Sequence, residues 1–81
     1  MSSKLPVVSG LEVIKALAKA GFYRVSQRGS HVKMRHPGGR IAIIPLHDEL
    51  APGTLRSILK QAGLSVEELT ALLGQTPRKK Q

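Results

Sequence analysis

Three polar residues stand at alternate positions of one short segment: His31, Lys33 and Arg35. In an extended strand successive side chains point to opposite faces, so this trio shares a face and Val32, Met34 and His36 share the other. Along that face its members are spaced about 6–7 Å apart. Val32 and Met34 are apolar and are expected to face the core. An imidazole beside two fixed cations suits a phosphodiester. Lys33 and Arg35 can hold a phosphate and offset the charge that develops in a transition state. His31 can accept a proton and return it. Taken alone, such a pattern is more often a solvated polar face with an idle histidine.

Other chemistries fare worse. A metal site would draw on His31, His36, His47, Asp48 and Glu49. His31 and His36 point to opposite faces of the predicted strand and cannot share an ion without breaking it. No H-x-x-x-H or H-E-x-x-H helix is present. A serine triad would need Ser30 or Ser57 near Asp48, yet the chain has no G-x-S-x-G elbow. No metal or cofactor is therefore expected. One reaction stays within reach of a lone histidine and cations. RNA carries its own nucleophile, the 2′-OH, beside each phosphate. DNA lacks it and normally relies on a metal-activated water. A nuclease built from these residues would act on RNA.

The charge points the same way. The 81 residues include 13 Lys and Arg against 5 Asp and Glu, for a net charge of +8. The tail Arg78-Lys79-Lys80 supplies only part of that excess, so the folded body is basic too. A small basic domain most often meets a polyanion, and nucleic acid is the commonest. The other reading of the excess is solubility alone. Phe22 and Tyr23 are the only aromatic residues, which argues against a platform that stacks single-stranded bases. There is no cysteine, so disulfide scaffolds and thiolate metal sites are excluded. No apolar run approaches the roughly 20 residues of a membrane span. The first residues lack the apolar core of a secretory signal, so a cytoplasmic protein without a membrane partner is expected.

Elements that could position the site follow from periodicity and punctuation. A helix is predicted over residues 10–20, opened by an S-x-x-E capping box from Ser9 and Glu12. Leu11, Ile14, Leu17 and Ala18 fall on one side of it, with Val13 beside them. Gly21 can close it in a left-handed conformation. Strands are predicted over 22–27, 31–36 and 40–44, joined by turns at Arg28-Gly29-Ser30 and Pro37-Gly38-Gly39. Gly29 would allow the tight turn that presents His31. Pro45 ends the ladder for want of an N–H. A second helix is predicted over 54–62, capped by Thr54 and carrying Leu55, Ile58 and Leu59. A short third helix follows, opened by a second capping box, Ser65 and Glu68. The order α-β-β-β-α-α implies an α+β fold with a three-stranded antiparallel sheet, helices on one face and the other face open.

Gly29-Ser30-His31, Arg35-His36-Pro37, Pro45-Leu46-His47 and the run from Gly53 to Ser65, in that order and spacing, resemble the HicA-type toxins of bacterial toxin–antitoxin modules. The resemblance spans about Ser9 to Leu73. It implies a fold related to the double-stranded-RNA-binding domain and a ribosome-independent mRNA endoribonuclease. It also implies a HicB-like antitoxin partner, and it makes His31 the catalytic histidine. Residues 9–73 would then be a single domain, 1–8 an N-terminal extension and 74–81 a basic flexible tail. Lys33 and Arg35 as RNA-binding residues rest on strand alternation, not on the resemblance. Ser30 would bond a phosphate or merely cap its turn. His47 would be a second proton-transfer or phosphate-binding group, or would order its loop. The alternative function is a non-catalytic module for double-stranded RNA, in which His31 would be replaceable.

Overall fold

The computed structural model describes residues 4–74. The elements run α1 (Gly10–Lys19), β1 (Tyr23–Arg28), β2 (His31–Arg35), β3 (Ile41–Pro45), α2 (Pro52–Ala62) and α3 (Val66–Gly74). The strands form one antiparallel sheet in the order β1-β2-β3. This is the predicted α+β arrangement. The expected flexible tail lies almost entirely outside the described residues.

Local sequence accounts for most of the boundaries. Ser9 and Glu12 form a reciprocal cap at the start of α1: the Glu12 N–H donates to Ser9 Oγ and the Ser9 N–H donates to Glu12 Oε1. Ser65 and Glu68 repeat the device before α3. Each satisfies backbone donors that a helix start leaves open, worth about 1 kcal/mol. The second helix starts earlier than predicted. Ala51 is its N-cap and Pro52 its first residue, so Thr54 lies inside the first turn and does not cap it. Proline fits that first position because its fixed φ is helical and no N–H is needed there. Gly63 ends α2 in the left-handed conformation, φ 72°.

The core lies between the helices and the inner face of the sheet. β2 contributes Val32 and Met34, β3 contributes Ala42 and Ile44, and α2 contributes Leu55, Ile58 and Leu59. On α1 the buried stripe is Gly10, Val13, Ile14, Ala16 and Leu17. The prediction differs here, because Leu11 and Ala18 are exposed. The reason is tertiary: α1 packs against both α3 and β3, which rotates the buried face away from Leu11. Leu69 of α3 is fully buried. Val8 also enters the core, and its carbonyl accepts from the Leu50 N–H at 2.8 Å. The helical layer stops short of β1, all six residues of which are exposed.

One close approach ties the helical layer to the sheet. The Gly10 N–H donates to the His47 carbonyl at 2.9 Å. A Cβ at Gly10 would lie 1.9 Å from the Pro45 carbonyl oxygen and 2.9 Å from its carbon. Both obstacles are backbone, so no rotamer change relieves the clash. Helix propensity alone would make Gly10→Ala stabilising by about 0.5–1 kcal/mol. The clash is expected to reverse that sign and cost about 1–3 kcal/mol, as overpacking does. Urea unfolding of the G10A variant measures it, and unchanged or raised stability would disprove the close approach.

Candidate functional site

β2 presents the predicted alternation. Its residues run exposed, buried, exposed, buried, exposed, so His31, Lys33 and Arg35 lie on the open face and Val32 and Met34 lie in the core. The neighbouring strands complete that face in rows. His31 pairs with Arg28 of β1 and Pro45 of β3. Lys33 pairs with Ser26 and Ile43, and Arg35 pairs with Tyr23 and Ile41. Among the described residues no strand carries an Asp or Glu. All five acidic residues lie elsewhere: Glu12 on α1, Asp48 and Glu49 in the loop before α2, Glu67 and Glu68 on α3. The face is thus cationic with no carboxylate of its own to neutralise it.

Within this face a cleft of about 270 Å³ is lined by Ser26, Arg28, His31, Lys33 and Ile43. It brings Lys33 together with His31, as predicted. Arg35 stands on the same face one row beyond the lining residues. Ser30 sits in the β1–β2 turn, where its carbonyl accepts from the Leu46 N–H at 2.6 Å. That bond anchors the turn to the chain just after β3. Gly29 takes the first position of this two-residue turn with φ 54°. Tight hairpin turns of this kind require a positive φ there, which explains glycine immediately before the Ser30-His31 pair.

The other histidines have different surroundings. His36 Nδ1 accepts from the Gly38 N–H at 3.0 Å, and its ring meets Phe22 edge-on at 5.1 Å. Its N–H donates to the Arg40 carbonyl at 2.8 Å, so it shapes the β2–β3 turn. His47 is exposed and lines a second cleft with Ser9, Leu11, Arg24, Leu46 and Asp48. His31 and His47 therefore do not share a cleft, and the His47 backbone carbonyl holds the start of α1. Among the described residues no three His, Asp or Glu side chains gather as a metal site would require.

Sequence reasoning missed Arg28, which it placed in a turn. Arg28 is the last residue of β1 and faces His31 directly. The missing signal is an irregularity. Arg24 pairs with Met34 and Ser26 pairs with Lys33, so Val25 has no partner and forms a bulge. A bulge advances one strand by a residue and reverses which face later side chains take. Only a paired strand reveals it. A cation across from an imidazole and a second one along its strand, on an open acid-free surface, can seat a phosphate next to a group able to move a proton.

The comparisons with known proteins agree with this architecture. A chain of a solved structure titled "Toxin-Antitoxin complex from Streptococcus pneumoniae" is 41% identical, over 70% of this chain and 98% of that one, with a TM-score of 0.62. No curated protein matches. The family model for the HicA toxin of bacterial toxin–antitoxin systems matches residues 10–64, which include α1, the whole sheet and α2, and the chain belongs to that family.

Proposed function

We propose that this toxin is an mRNA endoribonuclease in which His31 performs the proton transfers and no metal or ribosome is required. The observation that carries the reading is the cleft on the acid-free sheet face, where His31 stands with Arg28 and Lys33. The reaction draws its nucleophile from the substrate. His31 removes the 2′-OH proton, the 2′-oxygen bonds to phosphorus, and the bond to the 5′-oxygen breaks. The products are a 2′,3′-cyclic phosphate and a 5′-hydroxyl. The 5′-oxygen leaves with a proton, returned by the imidazolium or taken from water. Lys33 holds the phosphate electrostatically and Arg35 holds the strand further along. His47 has no role in this scheme, since it lines a separate cleft.

The partner is an antitoxin that covers this face. Tyr23, Ile41 and Ile43 are 49%, 41% and 38% exposed and lie in the same rows as the cations. A partner offering carboxylates and apolar side chains would match both features and exclude RNA. The solved relative comes from a toxin–antitoxin complex, which supports this reading.

Purified protein incubated with an RNA and a matched DNA in excess chelator is expected to cut the RNA alone. His31→Ala should keep the fold and lose about 10²–10⁴-fold in rate, the usual worth of one general acid–base group. Near-wild-type cleavage by H31A would remove His31 from the mechanism. RNA binding without cleavage by the wild type would point to a non-catalytic binding module.

Lys33→Ala and Arg35→Ala are each expected to weaken binding of single-stranded RNA. Each should flatten the dependence of log K on log salt by about 0.7 for every phosphate that is no longer neutralised. A binding titration across salt concentrations reads this, and an unchanged slope in both variants contradicts the proposed surface.

Expression of the wild-type chain alone should arrest bacterial growth, and co-expression of a cognate HicB-like antitoxin should restore it. In the complex, His31 should be shielded from solvent. A complex that leaves the sheet face open would contradict occlusion, and harmless expression of the folded chain would contradict nuclease toxicity.

A further inference from the structure

The geometry points to Arg28 as the clamp on the non-bridging oxygens of the phosphate that His31 attacks, an inference that rests on the nuclease reading above. The placement depends on the Val25 bulge. Tyr23 faces Arg35 on the open side, and strict alternation would then put residues 25 and 27 on that side too. Arg28 would point to the helical side. With Val25 unpaired, Ser26 and Arg28 take the open face and meet Lys33 and His31. Bulges commonly re-aim side chains beside functional sites. This one places a guanidinium across from the imidazole, next to a turn held by Gly29 and by the Ser30–Leu46 hydrogen bond.

Distance separates the three cations. Directly paired residues on neighbouring strands have Cβ atoms about 5 Å apart. Two residues along a strand Lys33 is about 7 Å from His31, and four residues along Arg35 is about 13 Å away. Arg35 therefore serves a neighbouring part of the RNA. Between the two near cations, chemistry decides. Lysine is a flexible point charge, whereas arginine offers a planar fork that matches two oxygens of one phosphate. As the 2′-oxygen bonds to phosphorus, negative charge grows on those two oxygens. Arg28 neither gives nor takes a proton. It binds that charge more tightly in the transition state than in the ground state, so its loss should lower turnover more than substrate affinity.

The test is steady-state cleavage of a short RNA by the wild type, R28A, R28K, R24A and H31A, with unfolding midpoints to verify each fold. Arg24 is the control because it lies on the same edge strand with the same charge but pairs with core-facing Met34. R28A is expected to lose about 10²–10³-fold in kcat, as removal of one transition-state donor does, with a much smaller change in KM. R28K should restore KM fully but kcat only in part. R24A should cleave as the wild type does. The clamp is overturned if R28A matches R24A, if only its KM changes, or if R28K regains full kcat. Should R28A fail to fold, R28K alone decides, since it keeps the charge and removes the fork. If R28A is active while H31A is dead, the nuclease reading survives and only the clamp fails. If the wild type cuts nothing, both fall.

Discussion

Val32 and Met34 hold the middle strand in place, and the site depends on that. Both are essentially fully buried against the helices, and each stabilises the fold by about 1.5–3 kcal/mol relative to exposure. Because side chains alternate along a strand, their burial forces His31, Lys33 and Arg35 outward. A slip of one residue would expose the two apolar side chains and drive two cations and an imidazole into a core that, among the described residues, has no buried polar partner for them. The register is therefore set by hydrophobic burial, and the open face inherits its order from the core.

The flanking strands turn this line of residues into a surface. β3 is held from the helical side by α1 and α2, and the Ile43 N–H on its outer edge donates to Gln61 Oε1 of α2 at 3.0 Å. β1 lacks helical cover and depends on β2 for its position. It is an edge strand protected in two usual ways, by charged side chains and by a bulge. The same bulge brings Arg28 to His31. One irregularity thus blunts an aggregation-prone edge and completes the cationic cleft.

The separation of charge explains how so small a domain can engage a polyanion. The carboxylates belong to α1, the loop before α2 and α3, and two of them are engaged in capping boxes. The strands carry only cations and neutral residues. A phosphate chain reaching the open face meets attraction without local repulsion. The exposed Tyr23, Ile41 and Ile43 on that face give a protein partner apolar surface that RNA phosphates do not use.

Much of this was legible in the sequence, for reasons of short range. Capping boxes act over three residues, glycine stops act at one, and strand alternation has a fixed period, so α1, α3 and the two faces of β2 could be read directly. Gly29-Ser30-His31 announced both a tight turn and the exposed histidine. Pro52 also carried a local signal for the start of α2, although Thr54 was the more conspicuous cap. Other features had no local signature. The buried stripe of α1 excludes Leu11 because α3 packs beside it, and periodicity cannot foresee a neighbour. Arg28 is turned toward His31 by an unpaired Val25, and a bulge exists only relative to a partner strand. His47 lines a different cleft because the chain turns past β3 to hold Gly10. Sequence alone determined that His31, Lys33 and Arg35 could do chemistry and that they share the outer face of their strand. Tertiary structure decided which of them meet, because pairing between strands depends on register and packing across the whole domain.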